Sequence, residues 1–413
     1  MRGERYFGAL SERQFRLLYL GQSISMVGSR LSAVALPFAV LAIGGTATDI
    51  GIVEAAYLVP LAVMLLLGGV WADRLSRRAV MLASDLVRAA CQVGVASLLV
   101  LDVAAVWHLA LFQVGLGFSE AFFQPAYTGL MPQTVRGERL QQANALTGLT
   151  MSAAVMIGGV AGGLLVAAVG PGWAMGLDAL TYLASAVFLL RMRAHPPSIR
   201  GTAESFLIDL RAGWDAFRSR TWLWAVVCGS ALFLMTTQSA FYVLGPVAVQ
   251  QAYAGAKTWG FLAAALGVGQ VAGASLALRW EPRRPLAVMV GTLWLGGLPL
   301  VLLGLGVHTW MLLAGGVVLG VVWGLIHPLW VTTLQRKVPT ELLSRVSSYD
   351  YLGSLLAYPV GVAAVGPVAD LVGVQVVLFV SAGCAVAVSA ALLCVAPVRR
   401  LESGASRLAP DTA

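Results

Sequence analysis

Twelve mainly apolar stretches, most long enough for the roughly 20 residues a helix needs to cross a bilayer, recur along this 413-residue chain with short polar breaks between them. They cover residues 17–43, 50–71, 80–101, 107–125, 144–169 and 175–190, then, after a longer polar segment, 222–249, 258–278, 286–307, 311–331, 347–371 and 375–396. Only 11% of the residues are charged, against about 25% in an ordinary soluble protein. A water-soluble fold has too little interior to hide that much apolar surface. The pattern predicts an all-α polytopic membrane protein with both ends on one side.

The basic residues say which side. Lys and Arg next to membrane spans are retained in the cytoplasm. Arg2, Arg5, Arg13 and Arg16 precede the first run, and Arg74, Arg77 and Arg78 follow the second. Further groups follow the even-numbered runs, from Arg136 and Arg139 to Arg399 and Arg400, whereas the alternate loops hold only Lys257. Both termini are therefore expected in the cytoplasm and the protein in the inner (plasma) membrane. The net charge of +8 is explained by topology and requires no nucleic acid. Cys91, Cys228, Cys384 and Cys394 all fall within apolar runs, where a thiol behaves as a small hydrophobe; neither a disulfide framework nor a metal site is expected. The N-terminus lacks a short apolar core followed by a small-residue cleavage site, so the first run should persist in the mature chain.

The longest polar segment, 192–220, carries Pro196 and Pro197 and then Phe206, Leu207, Leu210, Trp214 and Phe217 at helical spacing. It reads as a linker with an amphipathic helix at the membrane surface. It separates a six-helix bundle, 1–191, from a second, 221–398, with a tail at 399–413. The halves repeat. A shift of 203 positions lays Pro125 on Pro328, Val135 on Val338, Glu138 on Glu341, Leu140 on Leu343, Gly158 on Gly361 and Gly163 on Gly366. Parallel six-span repeats are the plan of one large transporter class, with the substrate site near mid-membrane.

Within that frame "GVWADRLSRR", from Gly69 to Arg78, resembles the loop signature between spans two and three of the major facilitator superfamily. "FRLLYLGQSIS", "SDLVRA" and "FFQPA...ANAL" are similar to its macrolide-efflux and siderophore-exporter branch. The resemblance implies two pseudo-symmetric six-helix bundles and a cytoplasmic gating latch built from Gly69, Asp73, Arg74, Arg77 and Arg78. In that pattern the acid caps a helix of the other half, here near Ser347, where a carboxylate gains about 1–2 kcal/mol from the helix N-terminus. Ser76 stands where the family pattern has glycine. "MIGGVAGG", Met156 to Gly163, resembles the family's antiporter signature with Gly159 in place of proline; close helix packing by small residues is an equal reading.

Ionisable groups inside spans cost at least ~2.5 kcal/mol and normally mark pathways or relays. Arg30, Glu54, Asp85, Arg88 and Glu120 lie there. At ~1.5 Å per residue, Arg30 and Glu120 share a depth. Because the resemblance implies that spans one, four, seven and ten line a central cavity, these two are expected to meet as a charge pair. Glu120 is a candidate proton carrier and Glu54, nearer the outer surface, a weaker one. Asp85 and Arg88, three residues apart, read as a supporting ion pair. Gln124, Gln238, Trp323 and His327 are candidate substrate-cavity residues, while Trp222 and Trp330 read as interfacial anchors.

The expected function is proton-coupled export, by alternating access, of small hydrophobic or amphiphilic molecules such as antibiotics or siderophores, by a monomer in the bilayer with no cofactor. A nutrient importer or lysolipid flippase of the same fold is the alternative. A membrane oxidoreductase is remote: of the four histidines His108, His195 and His308 fall at loops or run ends and only His327 lies well inside a run, and no nucleotide loop, nucleophilic triad or metal-ligand cluster is present.

Overall fold

The computed structural model describes residues 8–68, 76–193, 214–215 and 217–403. Among them every regular element is a helix. Twelve are long and apolar enough to cross a membrane: α1 Arg13–Ala42, α2 Ala47–Gly68, α3 Arg77–Val100, α4 Val106–Leu130, α5 Leu140–Val169, α6 Pro171–Leu190, α7 Thr221–Ala252, α8 Ala256–Arg279, α9 Pro285–Leu305, α10 Thr309–Lys337, α11 (Thr340–Leu356 and Tyr358–Val372) and α12 Val374–Cys394. These are the twelve apolar runs, extended at several ends by a turn or more of polar helix. The extension matters most for α11. It begins at Thr340 rather than near 347, so Ser347 lies within a continuous helix and offers no free N-terminus to a capping acid.

Local chemistry sets the boundaries. Ser76 has extended backbone, φ −64°, and its hydroxyl accepts the Ala79 N–H, so the residue standing where the family pattern has glycine serves as the N-cap of α3. The Ala105 N–H donates to Nδ1 of His108 in the first turn of α4. Pro171 opens α6 at a position whose missing N–H costs nothing. In α7 the run Leu234–Gln238 loosens into a π turn, and the Ser239 hydroxyl donates to Leu234 O across it.

The chain forms two compact units: residues 1–200, 243–267 and 362–373, and residues 201–242, 268–361 and 374–413. In the first, α1 packs on α5 and α6, α3 on α4 and α6, and α2 on α4, over a core including Phe15, Met81, Phe123, Leu130 and Leu189. In the second, α7 packs on α11 and α12, and α9 on α10 and α12, over Leu223, Val226, Leu286, Val346 and Ala385. The four pairings of the second unit are four of the five in the first with six added to each helix number, the pattern of a duplicated bundle.

The glycine tract of α5 explains how the first unit closes up. A Cβ on Gly158 would sit 2.6 Å from the Cβ of Arg30 on α1, and a Cβ on Gly163 would sit 2.8 Å from the Cα of Gly260 on α8. The tract thus serves two helix contacts at once, and close packing is what its small residues do. Gly158→Ala should therefore force α1 and α5 apart, costing toward the lower end of the ~1–3 kcal/mol typical of overpacking. Thermal unfolding of the purified variant in detergent checks this.

Candidate functional site

Each unit contains a cavity of its own. The first has a volume of about 450 Å³ and is lined from α1, α2, α3, α4, α5 and α6. Arg30, Glu54, Arg88, Glu120 and Gln124 all face it, as does Asp178 of α6.

Arg88 organises this wall. Its Nη2 lies 2.5 Å from Oε2 of Glu120, and its Nη1 lies 3.6 Å from Oδ1 of Asp85, one turn back on α3. The guanidinium sits 4.0 Å above the ring of Phe123 and 5.5 Å from that of Tyr182, a cation–π sandwich that orients its plane. Gln124, one turn on from Glu120, donates to the other carboxylate oxygen. Asp85 is fully buried, and neither of its oxygens accepts a hydrogen bond from the described residues. Arg88 is its counter-charge.

This arrangement corrects the expected Arg30–Glu120 pair. Depth along the bilayer places two residues at one level but says nothing about the direction in which each side chain leaves its helix. Glu120 leaves α4 toward α3, where Arg88 meets it, whereas the Arg30 Cβ lies against Gly158 of α5. Arg30 faces the same cavity but reaches no carboxylate of the described residues within salt-bridge distance. Glu54, on α2, faces the cavity with no hydrogen-bond or ion-pair partner among the described residues. Arg88 is eleven residues along α3 from Arg77, about 16 Å at the helical rise.

Asp178 was not among the expected site residues. It is fully buried. Its Oδ2 accepts from Nε2 of Gln92 at 2.7 Å and its Oδ1 from the Thr181 hydroxyl at 3.1 Å. The same Gln92 nitrogen donates to Ser32 at 2.7 Å. Gln22 donates to Ser185, and the hydroxyls of Ser29 and Tyr182 lie 3.0 Å apart. A polar seam therefore runs between α1, α3 and α6, and its signal is visible in the sequence. Residues 22, 25, 29 and 32 on α1 and residues 178, 181, 182 and 185 on α6 place polar side chains at helical spacing inside apolar runs.

Of the latch residues, Gly69, Asp73 and Arg74 lie outside the described residues. Arg77 donates to Gly129 O at 2.5 Å, while Arg78 donates to Leu189 O at 2.7 Å and to Leu190 O at 2.8 Å. Both arginines thus tie down the carbonyl ends of α4 and α6, where a cation is favoured by unpaired carbonyls and the helix dipole alike. Neither forms an ion pair among the described residues.

The second unit holds a cavity of about 570 Å³ walled by Phe233, Trp323, Trp330 and Tyr351, with His327 and Asp350 as its ionisable groups. Trp330 is no interfacial anchor. Its indole N–H donates to Oδ2 of Asp350 at 2.8 Å, and its ring lies edge-on to Trp222 at 6.1 Å. Trp222 itself is buried in the core of the unit. Trp323 and His327 line this cavity, and Gln124 lines the first. Gln238 lines neither; its Oε1 is buried beside the π turn with no partner among the described residues. Among the described residues no cluster of His, Cys, Asp or Glu is placed to hold a metal.

Comparison with known proteins gives a consistent picture. The family model for the Major Facilitator Superfamily matches residues 18–362. The enterobactin exporter EntS of Shigella boydii serotype 18 is 31% identical over 363 residues, covering 85% of this chain and 84% of the relative. The enterobactin exporter EntS of Escherichia coli O1:K1 / APEC matches at the same identity and coverage. Among solved structures, a peptide transporter POT in complex with sulfate superposes with a TM-score of 0.74 at 13% identity, over 95% of this chain and 96% of that one. The nucleoside transporter NupG does so with a TM-score of 0.70 at 14% identity, over 92% and 98%. At those identities the structural matches speak for the fold alone. The comparisons and the twelve spans describe a multi-pass membrane protein that is a transporter and not an enzyme.

Proposed function

Because the chain belongs to the major facilitator superfamily, we propose that it is a proton-coupled exporter of small hydrophobic or amphiphilic molecules, siderophores among them, working by alternating access in the inner membrane. The exporter names carried by its relatives support the direction of transport and the siderophore class. Both termini lie in the cytoplasm on this reading, as the arginine asymmetry requires, and the protein acts as a monomer.

The observation that carries the coupling is the Arg88–Glu120 pair on a cavity wall that also presents Glu54, Asp178 and Arg30. With Asp85 behind Arg88, four carboxylates answer to two guanidinium groups. Such an excess is balanced by taking up protons or a cation, and uptake on one side with release on the other is the elementary step of gradient-driven transport. Glu54 is the proton carrier: it faces the cavity and no described residue engages it. Glu120 is the responsive member. A proton on Glu120 or a competing ligand group releases Arg88, which turns to Asp85. The latch expected at Asp73, Arg74, Arg77 and Arg78 closes the cytoplasmic side.

Purified protein in liposomes with an imposed pH gradient tests this. Wild-type protein should expel substrate only while the gradient persists. Glu54→Gln should bind substrate unchanged yet lose at least about tenfold in gradient-driven flux, the scale of a lost proton-transfer group, and Glu120→Gln should lose flux with weakened substrate binding. Flux that survives a protonophore, or full gradient-driven flux in Glu54→Gln, would overturn the coupling scheme.

A further inference from the structure

The two cavities differ in how their acids are answered. In the first unit Arg88 and Arg30 stand among the carboxylates. In the second, the described wall residues include Asp350 and His327 and neither Lys nor Arg. Asp350 lies ten residues into α11, and one of its oxygens, Oδ2, is occupied by the Trp330 indole N–H. No described residue donates to Oδ1. Indole faces offer the strongest ring quadrupole for a cation, and Trp323 and Trp330 are fixed by edge contacts to Phe233 and Trp222, with centroids 6.2 and 6.1 Å apart. A carboxylate with an oxygen to spare, rigid aromatic walls, no Lys or Arg among the described wall residues, a single imidazole at His327 and about 570 Å³ of space together make a receptor lacking a fixed positive charge. The volume is within the ~300–1,000 Å³ of small-molecule sites.

We propose that the cavity of the second unit is a binding site for a monovalent organic cation, with Asp350 as the charge-selecting residue, Trp330 holding the carboxylate in place, and Phe233, Trp323 and Tyr351 enclosing the apolar body of the ligand. This rests on the transporter reading only in naming the substrate class. The site selects for positive charge delocalised over an apolar frame and against anions of the same shape, because an anion meets Asp350 with no described Lys or Arg on the wall to offset it.

Tetraphenylphosphonium and tetraphenylborate, opposite in charge and nearly alike in shape, test it by direct binding to the purified full-length protein in separate samples, read by quenching of tryptophan fluorescence. The phosphonium should bind saturably and the borate should not. Asp350→Asn should weaken the phosphonium by about tenfold or more, in line with loss of a desolvated charge partner, while Asp350→Glu restores most of the affinity and so excludes a folding defect. Trp330→Phe, which removes the donor but keeps a ring, should give an intermediate loss. Equal binding of the two ions, no saturable binding of the phosphonium, or unchanged affinity in Asp350→Asn overturns the proposal. A protein that binds the cation through Asp350 but does not move it down an opposing pH gradient leaves this site standing and removes the proton-coupled reading instead.

Discussion

Arg88→Ala should be the most damaging single substitution in the membrane-spanning region. The guanidinium is the only described cation within salt-bridge distance of both Glu120 and Asp85. Removing one member of a buried pair typically costs about 3–5 kcal/mol, because the partner charge is left without compensation. Here two carboxylates are left, one of them fully buried, so the variant should be strongly destabilised in detergent and inactive in flux. Cutting the acids as well should undo most of that. The triple variant Arg88→Met, Glu120→Gln, Asp85→Asn carries no stranded charge and should unfold near the wild-type temperature while remaining unable to use a pH gradient. Recovery of stability without recovery of coupling separates the structural from the functional role of the cluster. A single Arg88→Ala variant as stable as wild type would show that the carboxylates are not held by this residue.

Asp178→Leu is expected to be the second most severe. The carboxylate receives Gln92 and Thr181; in the leucine variant the Thr181 hydroxyl keeps its bond to the residue 178 carbonyl and Gln92 keeps Ser32, but the second Gln92 N–H is left without an acceptor in a seam enclosed by three helices. Each unsatisfied group costs about 1–3 kcal/mol. Asp178→Asn keeps an oxygen for Gln92 and should fold with a loss near the ~1 kcal/mol of an ordinary hydrogen bond. A ladder of thermal unfolding temperatures with wild type above Asn and Asn well above Leu is the expected result. If Asn and Leu fall equally, the carboxylate is needed for its charge rather than as an acceptor.

The helices were legible from the chain because a bilayer imposes a length, and the apolar runs declare it. Partner choice was not. Arg30 and Glu120 share a depth, but which way Glu120 leaves α4 depends on the packing of α3 against α4, set by many weak contacts that no spacing rule reports. Asp178 escaped notice because it sits three residues inside a run, where a lone acid reads as a boundary; the polar stripe it shares with residues 181, 182 and 185 carried the information instead. Asp350 was missed because α11 was expected to start near 347. Seven more residues of helix turn a presumed end position into an interior one. Trp330 was misjudged for a related reason, since tryptophan near a span end is more often an anchor and only coordinates reveal the acid opposite its N–H.

The bare stretch of α5 bears on how the first unit can move. Where Gly158, Gly159, Gly162 and Gly163 meet α1 on one side and α8 on the other, the nearest atoms are backbone or Cβ, without long interlocking knobs. Interdigitated side chains resist sliding because each must leave one hole before entering the next, whereas smooth ribbons glide with little resistance. α5 is accordingly a lubricated rail between its neighbours, suited to shear displacement of one rod along another, and roughening that rail by even a methyl group should slow the cycle more than it weakens the fold.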